Sequence, residues 1–277
     1  MKKLLLLAAG LCVLAALALC AFYRGLTLRK YVLVSPKISG NGLRLVLLTD
    51  LHSTDYGEAL IRMVAAQSPD AILLGGDIVD DVRPREIALS CVEALTRIAP
   101  CYYVPGSHDM VRPDYPEVLD RMTRSGVQPL SGRSVTLTVR GQTVCFAGVD
   151  DLDGAYQNDP VRYAGALDRA TADLSADSYN ILLAHRPDAI ELYDRYPLDL
   201  VLSGHTHGGQ VRIPLLLNGL YAPGQGLFPR YAGGQYLVGD TQMIVSRGLS
   251  YYPRLPRIFN PPEVVVVDLQ KGEPASW

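Results

Sequence analysis

All five histidines of the chain stand in short runs beside carboxylates or glycines. The runs are Asp50-Leu51-His52, Gly106-Ser107-His108-Asp109, His185-Arg186-Pro187-Asp188 and Gly204-His205-Thr206-His207. A further acidic run, Gly75-Gly76-Asp77-Ile78-Val79-Asp80, carries no histidine. Imidazole and carboxylate together form a borderline-to-hard donor set, suited to Mn²⁺, Fe or Zn²⁺ rather than to Ca²⁺ or a thiolate-bound metal. Two ions ~3.5–4 Å apart need a carboxylate to bridge them, and Asp77 is the natural choice. A lone histidine after a strand is ordinarily a structural residue, and one Asp-x-His alone carries little weight. Here no histidine lies outside the motifs, which argues for one site rather than five unrelated positions. Asp50 and His52 are two residues apart, as are His205 and His207. An extended backbone would point each pair to one side.

The elements that must position these residues are legible around them. Short apolar runs of strand length are Leu43–Leu48, Ala71–Leu74, Cys101–Val104, Val144–Val149, Ile181–Ala184, Leu198–Leu202 and Val264–Val267. Each motif follows one of these runs, so the donors gather at C-terminal strand ends, where open α/β sheets bind ligands. Between the early strands, Ile87, Cys91, Leu95 and Ile98 repeat at helical spacing behind Pro84, and Val118, Leu119 and Met122 do so behind Pro116. The alternation predicts an α/β fold with a buried, mostly parallel sheet. Val135–Val139 and Thr143–Val149, joined through Arg140 and Gly141, read as a hairpin and make the sheet mixed. Residues 208–262 are rich in Gly, Pro, Tyr and Leu with weak periodicity, as expected of a lid or binding loop.

Composition sets bounds on both fold and partners. The chain has 277 residues, 48% hydrophobic and 19% charged, which supports one large domain and argues against disorder. A net charge of −2 gives no electrostatic case for nucleic acid. Cys91, Cys101 and Cys145 form no CxxC pair, so neither a disulfide framework nor a zinc finger is expected. Leu4–Tyr23 is a run of 20 residues without a charge. As a helix it would be ~30 Å long, the thickness of a bilayer core. A cleaved signal peptide competes with a retained anchor, but Arg24, Arg29 and Lys30 follow at once and favour the anchor. Lys2 and Lys3 nearly balance those charges across the run. A short basic N-terminus favours an extracytoplasmic domain. The expected organisation is an N-terminal transmembrane anchor over 1–30 and one domain over 41–270.

The ordered motifs resemble the calcineurin-like metallophosphoesterase superfamily, whose pattern reads D-x-H, G-D-x-x-D, G-N-H-D/E, H and G-H-x-H. The ending Ser246-Arg247-Gly248-Leu249 … Asn260-Pro261-Pro262-Glu263 resembles its bacterial membrane-associated branch. The resemblance implies a four-layer α/β/β/α sandwich with two mixed sheets. It implies that Asp50, His52 and His207 hold a first divalent ion, that Asp77 bridges, and that His185 and His205 hold a second. His108 would serve catalysis, oriented by Asp109, and Asp80 would be a turn or supporting residue. Ser107 stands where the family has an asparagine that ligates the second metal, leaving that site one donor short. Arg186 is a phosphate-contact candidate. The implied activity is metal-dependent hydrolysis of a phosphodiester or pyrophosphate, with phosphomonoester hydrolysis or non-catalytic phospholipid binding as alternatives. The apolar residues Leu215, Leu216, Leu217, Leu220, Tyr221, Leu227, Phe228 and Tyr231 either face a lipid-linked substrate or pack over the sheet.

Overall fold

The structure, a computed structural model, describes residues 2–139, 141–251 and 256–273, without the side chain of residue 4. Helix α1 (Lys2–Ala21) leads into strands β1 (Thr27–Ser35) and β2 (Leu43–Leu48). There follow α2 (Glu58–Ala65), β3 (Ala71–Gly75), α3 (Arg85–Thr96), β4 (Cys101–Val104), α4 (Ser107–Met110), α5 (Tyr115–Arg124) and β5 (Val127–Pro129). The second half comprises β6 (Arg133–Val139), β7 (Gln142–Val149), α6 (Leu152–Tyr156), α7 (Pro160–Thr171), β8 (Tyr179–Ala184), α8 (Ile190–Tyr193) and β9 (Leu200–Ser203). After a 3₁₀ turn (His207–Gly209) come β10 (Tyr221–Ala222), β11 (Gly226–Leu227), β12 (Gly234–Val238), β13 (Thr241–Val245) and β14 (Glu263–Lys271).

Two six-stranded mixed sheets result, ordered β1-β14-β2-β3-β4-β5 and β12-β13-β9-β8-β7-β6. The strands that carry the motifs run parallel to their neighbours: β2 with β3, β3 with β4, and β8 with β9. The sheets stack face to face over Leu45, Leu47, Leu73, Phe146, Ile181 and Leu202. Helices α2, α3 and α5 cover the outer face of the first sheet, and α7 and α8 that of the second. Strands covered on both sides read as unbroken apolar runs, as β3 does, because neither face meets water. The four-layer expectation therefore holds. The hairpin is present as β6 and β7, antiparallel over seven pairs; its linker residue 140 lies outside the described residues.

The structure corrects several local expectations. On α3 the buried stripe is Ala88, Leu89, Val92 and Leu95; Ile87 and Cys91 sit at its half-buried edge. Residues 27–35, divided between the expected anchor and the stretch before the domain, form an edge strand paired with β14. The stretch expected to be irregular supplies β12 and β13, which complete the second sheet, although its segment 252–255 lies outside the described residues.

The transmembrane helix also needs correction. Among the described residues, no helix is long and apolar enough to cross a membrane. Helix α1 opens on the charged Lys2 and Lys3 and ends at Ala21, two residues before the uncharged run of the sequence does.

Candidate dinuclear metal centre

The C-terminal ends of β2, β3, β4, β8 and β9 open onto one place. The loops after β2 and β3 are zipped together by Asp50 N to Gly76 O (2.9 Å), His52 N to Asp77 O (2.9 Å) and Ser53 N to Ile78 O (3.1 Å). Asp50, His52, Asp77, His205 and His207 all have positive φ, between 45° and 70°. The pairs Asp50/His52 and His205/His207 therefore converge through left-handed turns, not through the extended backbone that the spacing suggests. Asp and His are among the few non-glycine types that enter this region with some ease.

Six of the expected donors meet in two trios. Asp50, His52 and His207 each place a donor atom within 4.8 Å of the others, as do Asp77, His185 and His205. Asp77 links the trios: its Oδ2 lies 3.5 Å from His52 Nε2 and 3.2 Å from His185 Nε2. A third trio of His52, Asp77 and His108 brings His108 to the same wall. Apart from His108, all these groups are buried or nearly so.

Neighbours fix which nitrogen of each ring faces inward. His185 Nδ1–H donates to the Gly75 carbonyl at 2.8 Å, since a carbonyl can only accept. Its Nε2 is left facing Asp77 and, at 3.2 Å, His205 Nδ1. Asp80 Oδ2 lies 3.3 Å from His52 Nδ1 and turns Nε2 toward Asp77, the carboxylate–histidine arrangement that orients metal ligands. Ser250 Oγ stands 2.9 Å from His207 Nδ1. The amide of His205 holds Asp50 Oδ1 at 2.9 Å, and that of His108 holds Asp77 Oδ1 at 2.8 Å.

Electrostatics separate the groups. Burial would push the Asp77 carboxyl up, but the charge and hydrogen bond of His185 outweigh it and hold it well below the usual carboxylate range. Burial acts against a proton on His185, yet Asp77 wins and pushes that imidazole up to about 10. Burial raises the Asp50 carboxyl, with the Asp77 charge adding to it. Burial also holds His205 and His207 well below the usual imidazole range, so both keep lone pairs to share. The residues fit a pair of divalent cations on two observations. The donors are the oxygen and nitrogen types such ions take. Imidazole nitrogens of His185 and His205 also converge with an Asp77 oxygen in a buried space, and His205 Nε2 is buried with no hydrogen-bond partner.

Glycine makes the close approach feasible. A Cβ at Gly248 (φ 73°) would meet the Asp50 side chain at 2.7 Å, and one at Gly76 (φ 91°) would meet His185 Nδ1 at 2.5 Å. Gly248 belongs to the C-terminal motif, whose other members brace the same wall. Asn260 Nδ2 donates to the His207 carbonyl at 2.8 Å, and Glu263 Oε1 accepts from the Arg247 amide at 3.0 Å.

Two expected roles change. Asp109 does not serve His108: its carboxylate accepts from the amides of Val79 (2.7 Å), Gly106 (3.0 Å) and Ile78 (3.3 Å), tying two motif loops together. Burial, then the Asp77 charge, pushes this carboxyl up to about 6. The carboxylate that meets the His108 ring is that of Asp81, 3.1 Å from Nδ1, with both side chains part-exposed at the site edge. Asp81 carries no signal beyond standing next to Asp80. Arg186 is not free for phosphate: Nε donates to Asp151 at 2.9 Å and Nη2 to Asp153, and the side chain is buried. Ser107 opens α4 between Gly106 and His108, at the place where the family asparagine would stand.

Two stacked mixed sheets with carboxylates and imidazoles gathered at a joint strand edge define an α/β sandwich built for two metal ions. The family model for calcineurin-like phosphoesterases matches residues 43–209, and the chain belongs to that family. The chain is similar to an uncharacterized metallophosphoesterase of Campylobacter jejuni, with 32% identity over 82% of this chain and 59% of that one. It is 31% identical to a cattle transmembrane protein with a metallophosphoesterase domain, over 84% of this chain and 54% of that one. Thus it spans little more than half the length of these relatives. Phosphodiesterase YaeI of Escherichia coli is 30% identical, over 82% of each chain. The solved structure of TT1561 from Thermus thermophilus shares the fold, with a TM-score of 0.50 at 16% identity over 74% of this chain and 88% of that one.

Proposed function

We propose that the chain hydrolyses a phosphodiester or pyrophosphate with two divalent ions, one held by Asp50, His52 and His207, the other by His185 and His205, with Asp77 between them. The observation that carries this reading is the linkage of the two donor trios through Asp77. When bound, such ions neutralise phosphoryl charge and make water a nucleophile near neutral pH. The chain's own part is positioning. Asp80 and the Gly75 carbonyl fix the rings of His52 and His185. His108, at the exposed edge and held by Asp81, is placed to protonate a leaving oxygen. The name of the Escherichia coli relative supports the diester over the monoester.

The same reading places the enzyme at a membrane, its domain on the extracytoplasmic side. Helix α1 exposes Leu5, Leu6, Leu7, Leu11, Leu14 and Leu17, an apolar surface that lipid would cover. The cattle relative's name supports this location.

The chemical reading is tested by loading the purified chain with Mn²⁺, counting the metal, and comparing bis(p-nitrophenyl) phosphate with p-nitrophenyl phosphate. Two equivalents of metal and a preference for the diester are expected. Faster monoester turnover would remove the diesterase assignment, and no turnover with both sites filled would favour a binding protein. Alkaline extraction of membranes, with and without residues 1–25, tests the location.

A further inference from the structure

The segment between the 3₁₀ turn and β12 exposes a cluster of large apolar side chains. Leu215 and Leu216 are 105% and 85% exposed, and Tyr221, Leu227 and Phe228 between 51% and 67%. Only part of the segment packs inward: Tyr231 is buried in the outer core, and Leu217 and Leu220 are half-buried. Leu215 and Phe228 have φ of 71° and 56°. A bulky residue in this region costs ~1–3 kcal/mol, so the backbone is strained at two of the residues that point an apolar side chain at solvent.

This cluster lies on the same edge as the metal centre and the end of α1. Leu220 N donates to Gly209 O at 2.9 Å, two residues from His207. Ile258 pairs with the base of the segment through Arg212 N to Ile258 O (2.9 Å) and Ile258 N to Gln210 O (3.1 Å). The next residue, Phe259, donates its amide to the carbonyl of Ala21, the last residue of α1, at 2.8 Å. Arg24 sits over the Tyr251 ring at 4.5 Å, one residue past Ser250, which meets His207. Charge is sorted to this edge as well. Residues 1–49 and 200–239 contain no Asp or Glu, although the whole chain is net −2. Basic residues there include Arg24, Arg29, Lys30, Arg212 and Arg230. Arg230 is shared with Glu191 at 3.1 Å, whereas Arg212 Nε is buried with no hydrogen-bond partner beside the leucines.

We propose that the 213–228 segment is a membrane-docking loop that seats in the surface of an anionic bilayer and holds the mouth of the metal centre against it. This deepens the membrane part of the functional reading and rests on it. Exposed apolar area inserts at the boundary between headgroups and acyl chains, and the basic residues beside it meet the anionic headgroups, with Glu191 and Asp188 as the neighbouring acids. The hydrogen-bonded link from α1 through Phe259 to Gln210 puts loop and helix at one lipid surface.

The test uses the full chain with Trp277→Phe, so that an introduced tryptophan is the only indole. Leu216→Trp reports on the loop; Val161→Trp, 79% exposed on α7 in the outer helical layer, is the control. Both are reconstituted in vesicles of phosphatidylcholine and phosphatidylglycerol, with and without brominated acyl chains. For Leu216→Trp, a blue shift and quenching by the brominated lipid are expected; Val161→Trp should show neither. Arg212→Gln should shift the loop's docking equilibrium about fivefold in anionic vesicles only, the equivalent of ~1 kcal/mol per basic residue. Equal quenching of the two indoles, or none in either, would overturn the proposal. A lipid-independent blue shift that grows with protein concentration would assign the surface to a second copy instead. Sedimentation with vesicles scores the contribution of α1, and hydrolysis of a soluble diester scores the chemistry. A failed loop is thereby distinguished from a failed functional reading.

Discussion

Replacing Gly76 by alanine tests whether backbone close approach builds the second metal site. Gly76 has φ of 91°, and an added Cβ would lie 2.5 Å from His185 Nδ1 and 2.7 Å from Gly106 N. Neither neighbour yields cheaply: Nδ1 is bonded to the Gly75 carbonyl at 2.8 Å, and Gly106 N to Asp109 at 3.0 Å. Positive φ with a side chain costs ~1–2 kcal/mol. Overpacking adds ~1–3 kcal/mol, and a lost hydrogen bond ~1 kcal/mol. The total, ~3–6 kcal/mol, is a large part of a typical ~5–15 kcal/mol stability. It should lower Tm by on the order of 10 °C in a domain of this size. In the proposed function the displaced ring holds the second ion only, so metal content after Mn²⁺ loading should fall from two equivalents toward one, with Asp50, His52 and His207 still occupied. Gly57→Ala separates strain from collision: its φ is 50°, and nothing lies within 4 Å of the added Cβ. That variant should lose only ~1–3 kcal/mol of backbone strain and keep both metals. Thermal denaturation and elemental analysis of the two variants decide the matter. If Gly76→Ala matches Gly57→Ala in both, the close approach is not what shapes the site.

Other outcomes follow from the same geometry. Asp81→Asn should leave Tm within about 0.5 °C to 2 °C, because the pair is part-exposed, yet lower kcat by ~10–100-fold as His108 loses its support. Asp109→Ala should behave oppositely, since three amides lose their acceptor; scanning calorimetry should show the loss, and the ~3 kcal/mol that ionising this raised carboxyl costs at pH 7 offsets only part of it. That ionisation has a definite sign. A folded value of about 6 lies above the unfolded value, so the stability from this group is full below pH ~4 and is lost as pH rises through 6. Ser107→Asn should tighten the second Mn²⁺ by ~10-fold or more in a calorimetric titration, if the asparagine amide completes that site. Burial pushes the Cys91 and Cys101 thiols up to about 12, so iodoacetamide at pH 8.5 should spare that pair until the chain unfolds.

The strands that build the sheets were legible because both of their faces are covered. A short run such as Ala71–Leu74, apolar at every position, suits a strand buried on both faces, and the donor residues after it then lie at its end. That is why a metal site at the strand ends is readable from the motifs, while its division into two trios rests on the family resemblance. Edge elements are harder: β1, Thr27–Ser35, shows no regular alternation, with Arg29 and Lys30 adjacent and then four apolar residues in a row. The assignments of Asp109 and Arg186 failed for another reason. Sequence adjacency to His108 and His185 says nothing about where a side chain points. Asp109, on the short helix α4, turns back to the amides of Gly106, Ile78 and Val79, and Arg186 turns to the α6 region, where Asp151 caps the helix and waits for it. Asp81 reached His108 from a different loop, a contact that no local spacing encodes.

The left-handed turns join these successes and failures. Five wall residues, Asp50, His52, Asp77, His205 and His207, hold positive φ side by side. At ~1 kcal/mol or more each, that strain is comparable to the net stability of a domain. The surroundings must therefore over-determine it, and they do so with backbone bonds: Asp50 N to Gly76 O, His52 N to Asp77 O, and Leu249 N to Thr49 O at 3.0 Å. The same turns carry each carboxylate and imidazole off its strand axis and toward the others, which a strand continuing in extended geometry would not do. The residue types that ligate divalent metal are also the types that enter this backbone region most readily, so ligand chemistry and loop conformation select the same side chains at these positions. A D-x-H or H-x-H pattern after a strand thus encodes a turn as well as a pair of donors, and the turn is what makes the pair converge.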